Sequence, residues 1–406
     1  MMRVMTMVGA SIFTNYIKEK PGDIDAHFKQ IENSLNWQWD DQLERIKPLK
    51  DVLSSWVKKN NTASAEIKSI LKIQKEVHDN ILVQLVATDT ILSRLAAEII
   101  RDELQGKIIN NCQISVIFDP ENDVIKNLQI RNRKLFEKEG VSRLARYLDA
   151  QGFGNGDLFN ITGGYKALIP YLSIIGMLKN IPLYYIFEDT DELIKIPQMP
   201  VDINWGLFEK YVDIFEKLDE GLEEDWAQFK RRNNLEPEFP DCIWQDEGLV
   251  GLNSVWDILW HRFKEHILVK VPKESNQFYS EQPGNLKEVI EATRELYQRL
   301  DNEIKNNALE SQEGLLKHIE SLGTKHDLRH GENLEKNIFI FKSTDKAQIR
   351  IVYQPEFIKN YLSIKIYKYL RGSFDHTRYI SEFRKRYKFQ RAAGSIEFIT
   401  IPIKKC

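Results

Sequence analysis

Cysteine is scarce: Cys112, Cys242 and Cys406 are the whole supply in 406 residues, and no two of them stand in a C-x-x-C pair. That spacing excludes a disulfide framework and a structural zinc site of ordinary pattern, and it fits a reducing cytoplasm. Long apolar runs are missing as well. No window of about 18 apolar residues occurs, so no membrane-spanning helix is expected. The N-terminus opens directly on the strand-like MRVMTMV, with no basic stretch ahead of a long apolar core, so no secretory signal is expected. Internal repeats and low-complexity tracts are also absent. What is left is an intracellular globular chain.

At 406 residues the chain has room for two or three domains, because single cores rarely grow past about 250 residues. Hydrophobic residues at 42% and charged residues at 29% are ordinary for a globular protein. The net charge of -3 conceals a polarity. Residues 201–260 carry 15 acidic and 5 basic side chains, a balance of -10, whereas residues 321–406 carry 18 basic and 8 acidic ones, a balance of +10. Charge separated in this way points to domains with different partners, and nucleic acid is the natural partner of the basic end. The alternative is two solvated faces that attract each other.

The first 200 residues alternate short apolar runs with amphipathic stretches. Strands are expected at Met2–Val8, Ile81–Val86, Ile114–Phe118, Leu158–Ile161 and Leu183–Phe187, with helices such as Ile91–Leu104 and Leu168–Leu178 between them. Continuous apolar strands alternating with helices imply a mostly parallel sheet covered on both faces. Ligands of such sheets sit outside the carboxyl ends of the strands, so the loops there are where a site is sought. IPQMP, residues 196–200, reads as the exit from this domain. Residues 201–262 form an acidic connector with five of the eight tryptophans, Trp205, Trp226, Trp244, Trp256 and Trp260. These suit a small helical core better than a docking surface; a winged-helix-like unit is the alternative.

Residues 263–406 have their own order. A short strand is expected at Ile267–Val271, then a helix carrying Leu286, Val289, Ile290, Leu296, Tyr297, Leu300 and Ile304, started by Asn285 and Glu288. A second helix carries Leu315, Leu316, Ile319 and Leu322. Strands follow at Ile338–Lys342 and Gln348–Tyr353, joined by a turn at Ser343–Lys346. Leu362–Leu370 is a third, and a basic helix with Tyr379, Ile380, Phe383 and Tyr387 on one side comes last. The succession is β, α, α, antiparallel strands, α.

Two loops stand out in the first domain. GASIFTNY (residues 9–16) follows the first strand and NITGGYK (residues 160–166) follows the fourth. Small residues at a strand end let backbone amides approach a ligand, and hydroxyls, a lysine and the next helix's N-terminus favour phosphate. The alternative is that the glycines only make strand-to-helix turns. GASIFTN, NITGGYKALIPYLSIIG and YYIFEDTDELIKIPQMP together resemble CARF domains, the Rossmann-like sensors of cyclic oligoadenylates in type III CRISPR systems. The resemblance covers about residues 1–200, with TGG-x-K its most specific part. It implies a homodimer that binds one ring-shaped ligand across its two-fold axis, taken to be cyclic tetra-adenylate. By motif position the ligand would be lined by Ser11, Thr14, Asn15, Thr162, Gly163, Gly164 and Lys166. Some CARF domains also cut their ligand slowly, a ring-nuclease activity the resemblance leaves open.

The C-terminal segment, with IRIVYQ on a middle strand, Leu328 and Arg329 before it and a strand ending near Arg371 after it, resembles RelE-type toxins. These are small metal-free ribonucleases, most of which cut mRNA in the ribosomal decoding site, and their fusions to a CARF sensor form a family of CRISPR-associated mRNA interferases. The resemblance implies three parts: a Rossmann-like α/β CARF domain at 1–200, a small helical connector at 201–262, and an α+β RelE-like domain with an antiparallel sheet at 263–406. It implies mRNA and the ribosome as partners, a cyclic oligoadenylate as activator, no cofactor, no metal, and a cytoplasmic location. In the reaction the RNA 2′-hydroxyl attacks the neighbouring phosphate, so the protein removes one proton, stabilises a phosphorane and donates one proton. By motif position Arg350 holds the scissile phosphate and Arg371 stabilises it or assists the departing 5′ oxygen. Tyr379 stacks on the nucleotide or moves a proton, and His376 serves as acid or base. RelE-type enzymes often carry two lysines on the preceding strand, whereas NIFIFK leaves Lys342 with Lys336 flanking it. The base is therefore open.

Arg371 and His376 also satisfy R-x4-H, the signature of HEPN ribonucleases, which are all-helical and are also fused to CARF domains. The period-two alternation of Ser363–Leu370 argues for a strand there and hence for the RelE reading. A third alternative is a CARF winged-helix transcription regulator. The acidic balance of the connector opposes it, because binding to duplex DNA rests on neutralising phosphates.

Overall fold

The computed structural model describes residues 1–187, 192–199, 203–235, 239–246, 248–272, 286–331, 336–344, 349–358, 361–370 and 398–405. They divide into two compact units: Met1–Asp202 with Glu223–Ile258, and Ile203–Leu222 with Leu259–Cys406. The stretch 201–262 therefore contributes to both units, and the boundary passes within helix Ser254–Glu265. No described helix is long and apolar enough to cross a membrane.

The first unit is built on β1 (Met2–Val8), β2 (Ile81–Thr88), β3 (Ile108–Ile109), β4 (Cys112–Ile117), β5 (Val124–Ile125), β6 (Leu158–Asn160), β7 (Leu183–Ile186) and β8 (Leu193–Ile196). Their order across the sheet is β3-β4-β2-β1-β6-β7-β8, with β5 beside the end of β2. The five central pairings are parallel, as expected from apolar strands between helices, and the short edge strands β3 and β8 run antiparallel to their neighbours. Alternation on β1 explains the two-faced burial: Val4 and Val8 enter one core, Met5 and Met7 the other. The chain runs outward from β1 through β2 to β4, then returns to place β6 on the other side of β1. Strand order reverses between β1 and β6, and such a reversal opens a crevice at the carboxyl ends.

The expected helices form at Ile91–Leu104 and Ile169–Lys179. Thr90 caps the first through Ser93 N, 3.2 Å. The same unit takes from the acidic stretch the helix Trp226–Arg232 and the hairpin of β9 (Ile243–Asp246) and β10 (Leu249–Leu252). Trp226 is buried and packs on Phe229 at 5.5 Å.

The second unit holds β11 (His266–Pro272), β12 (Phe339–Lys342), β13 (Arg350–Ile358), β14 (Tyr361–Leu370) and β15 (Phe398–Lys404), in the order β12-β13-β14-β11-β15. Helices Leu286–Asn306 and Gln312–Ser321 cover one face. Leu296, Leu300, Leu315 and Ile319 pack there on Val269, Ile351, Tyr353, Ile364 and Ile366. The stretch 203–222 adds helices Trp205–Lys210 and Val212–Glu220. Phe208, Phe215, Trp260 and Phe263 form an aromatic cluster with ring centroids 4.8–6.2 Å apart. Trp205 and Trp260 are buried, while Trp244 and Trp256 are half-buried. Of the five tryptophans in 201–262, three are buried and two half-buried, so this stretch packs them more than it displays them.

Two expectations need correction. The sheet of the second unit is antiparallel except at one pair, since β11 and β14 run parallel, and β15 is a strand the sequence reading did not include. Two helices separate β11 from the later strands, long enough for the crossover a parallel pair requires. In addition β13 continues past Tyr353 through Pro355 to Ile358. Proline normally argues against a strand interior, but β12 covers β13 only from Arg350 to Tyr353. Beyond that point β13 is an edge on this side, where a missing N–H costs nothing. Gln312 bonds this edge, donating Nε2–H to Pro355 O at 2.9 Å and accepting from Phe357 N.

Candidate functional site

Two places bring candidate site residues together, one in each unit. The first is the crevice at the carboxyl ends of β1 and β6, which pair in register with Thr6 beside Asn160. A cavity of about 120 Å3 lies there, lined by Gly9, Ser11, Thr162, Gly163, Gly164 and Lys166 together with Glu66 and Tyr165. Thus Ser11, Thr162, Gly163, Gly164 and Lys166 come together as expected. Thr14 and Asn15 are not among the lining residues. Thr14 Oγ1 donates to Ser11 O at 3.0 Å within its own turn, whereas Asn15 Nδ2 donates to Ala63 O at 3.1 Å and ties this segment to the one ahead of helix Ala65–Val77.

The glycines are there for room. A Cβ on Gly163 would sit 2.3 Å from Glu66 Oε1 and 2.4 Å from Met7 O, and one on Gly9 would sit 2.8 Å from Gly164 N. The two loops touch backbone to backbone, which only glycine permits. Thr162 ties β6 to β7, since its Oγ1 accepts from Ile186 N at 3.1 Å. Beneath the loops the buried Asn160 donates to Ser69 Oγ at 2.7 Å and to Thr6 Oγ1 at 3.3 Å. Lys166 is exposed at the rim.

Sequence reasoning missed Glu66 and Tyr165. Glu66 lies in the first turn of helix Ala65–Val77, far from either loop in sequence, and is 1% exposed. Its Oε1 accepts from Gly9 N at 2.8 Å and its Oε2 from Ser11 Oγ at 2.7 Å, while Ser11 Oγ accepts from Ala65 N at 3.1 Å. The available signal was Ser64 as an N-cap, whose Oγ accepts from Ile67 N at 3.1 Å. It marked the helix start but not its neighbour. Tyr165 is pushed up from its ordinary value by burial, with Thr88 and Thr90 as hydrogen-bonding neighbours that oppose the rise. The loop after β2 thereby meets the loop after β6.

The second place is on β12, β13 and β14. Lys342 stands directly opposite Arg350, and Ile340, Val352 and Lys368 form an adjacent row two residues along. Side chains at alternate positions share a face. Lys342, Arg350 and Lys368 therefore lie on one face, opposite to Ile351 and Tyr353, which enter the helix-covered core. Arg350 is 7% exposed, while Lys342 and Lys368 are half-buried. Lys368 was not among the site residues expected from the sequence. Arg329, noted within the motif, is a structural group: its Nη1 donates to Leu322 O at 3.0 Å and to Glu320 O at the end of helix Gln312–Ser321. Arg371, His376 and Tyr379, the terminal basic helix, Asn285 and the middle of the turn after Ser343 lie outside the described residues.

Residues 61–199 match the model of a CRISPR-associated protein family (Cas_APE2256). The match spans β2 to β8 and includes Glu66 and Thr162–Lys166, so most of the lining of the first crevice lies within the matched residues. No curated protein matches the chain.

Proposed function

We propose that the chain is an ancillary effector of a type III CRISPR system, in which a homodimeric sensor domain binds a cyclic oligoadenylate, specifically cyclic tetra-adenylate. Binding switches on a metal-independent RelE-like endoribonuclease in the second unit, which cuts mRNA on the ribosome and stops translation. Support for the sensor comes from the CRISPR-associated match and from the glycine-lined crevice where strand order reverses. The observation that carries the nuclease is the placement of Lys342, Arg350 and Lys368 on one face of a mostly antiparallel sheet.

That face suits RNA cleavage by its own 2′-hydroxyl. The bond from O2′ to phosphorus forms, the bond from phosphorus to O5′ breaks, and the products are a 2′,3′-cyclic phosphate and a 5′-hydroxyl. One proton leaves O2′ and one arrives at O5′. Negative charge builds on the phosphorane between these events, and fixed cations in a partly dry site stabilise it most. Arg350 is assigned to the phosphorane, with Lys342 beside it and Lys368 on the flanking RNA phosphate. Arg371, His376 and Tyr379 keep the roles the RelE resemblance gives them. The strand Tyr361–Leu370, immediately before Arg371, favours this reading over an R-x4-H helical ribonuclease.

The test is translation in a cell-free extract with and without cyclic tetra-adenylate, comparing wild type with Arg350→Ala. Ligand-dependent shutdown that the substitution abolishes is expected. Shutdown that ignores the ligand, or survives the substitution, sinks the assignment.

A further inference from the structure

The crevice of the first unit is built for an anion, yet it already holds one. Three features that would receive a phosphate converge there: the Gly9 amide at the end of β1, the Ser11 hydroxyl, and the opening turn of helix Ala65–Val77. The first two are engaged by the carboxylate of Glu66, one oxygen on Gly9 N–H and the other on Ser11 Oγ–H, while Ala65 N in the opening turn donates to Ser11 Oγ. Glu66 is 1% exposed and lines the cavity. Gly163 is pressed so closely against it that a methyl group there would meet Glu66 Oε1 at 2.3 Å.

A buried carboxylate is costly unless something compensates it, and here the compensation comes from the same donors an anionic ligand needs. Two anions cannot share one amide and one hydroxyl, and at such separations in a partly dry crevice they repel strongly. We propose that Glu66 is the resident occupant of this cradle, holding it closed in the ligand-free chain, and that an incoming phosphate displaces its carboxylate from Gly9 and Ser11. The ligand's identity rests on the sensor reading above; the displacement does not. A phosphodiester matches the two acceptor oxygens and single charge of the carboxylate and adds an attraction to Lys166 at the rim, while the displaced Glu66 is free to regain water. Release of Glu66 removes two of the hydrogen bonds between the Gly9–Ser11 loop and helix Ala65–Val77 and leaves the one from Ala65 N to Ser11 Oγ, which loosens the loop on the helix and carries the event from the site into the body of the domain.

Glu66→Gln keeps the shape and an acceptor for Gly9 while removing the charge. Titrating full-length wild type and Glu66→Gln with inorganic phosphate and, separately, with cyclic tetra-adenylate tests the proposal by calorimetry. Binding of phosphate about tenfold tighter in the variant is expected. Unchanged affinity means that Glu66 only props the fold, and weakened affinity means that it contacts the ligand directly; either overturns the displacement. If Glu66→Gln tightens phosphate while cyclic tetra-adenylate binds neither form, displacement stands and the sensor reading falls. Should the variant fail to fold, the ligand-minus-free infrared difference spectrum of the wild type decides. A perturbed carboxylate stretch on phosphate binding supports displacement, and a spectrum without one overturns it.

Discussion

Arg350 begins β13 beside Lys342 and one row from Lys368, where a guanidinium is held by the sheet before any substrate arrives. Pre-placed charge is what transition-state stabilisation needs, because no reorganisation is then required during reaction. Arg350→Ala is expected to lower RNA cleavage by about 10²–10³-fold while leaving cyclic tetra-adenylate binding intact. Lys368→Ala is expected to cost mainly RNA affinity and to flatten its salt dependence, read from cleavage rates between low and high salt. Another residue makes a purely physical prediction. Cys242 is buried, and burial pushes its thiol up to about 12. Since the thiolate is the reactive form, Cys242 is expected to resist alkylation at pH 8 in the folded chain and to react once denaturant is added. Mass spectrometry of the labelled peptide checks this.

Among the elements, the loops after β1 and β6 were legible as small-residue segments at strand ends, and Gly163 and Gly164, expected there to line a ligand, line the cavity. Gly163→Ala is expected to destabilise the first unit by about 1–3 kcal/mol, because Met7 O and Glu66 must both shift. It should also abolish ligand binding, measured by calorimetry beside a thermal melt. In the second unit Glu356 joins Lys270 and Lys365 at 2.7 Å each, and Lys270 also meets Glu209 at 2.9 Å. Burial alone would raise the Glu356 carboxyl, but hydrogen bonds and charge from the two lysines outweigh it and hold it below its usual value. A depressed carboxyl contributes stability that is present above its unfolded value, about 4.3, and is lost as pH falls through the lower folded value. Glu356→Gln should therefore melt earlier at pH 7, by roughly 1–3 kcal/mol given its partial exposure, and its melting should vary less with pH in acid.

For the whole molecule, two compact units with separate cores predict two unfolding events. Calorimetry of the full chain should show Gly163→Ala moving one transition and Glu356→Gln moving the other, and their effects should add in the double variant. A single transition shifted by both would show the units to unfold as one. By itself the sequence determined the central strands of the first unit with their parallel sheet, and in the second unit the succession from β11 through two helices to β14 but not β15, together with the cationic character of the tail, because periodicity and charge are local properties of a chain. Only tertiary structure decided what crosses long separations. Glu66 reached Gly9 and Ser11 from a helix more than fifty residues on, and Pro355 was admitted to a strand because β12 is too short to need its missing N–H. The acidic stretch was shared between two units by packing of its aromatic side chains. Those outcomes depend on which surfaces meet, and no window along the chain contains both partners.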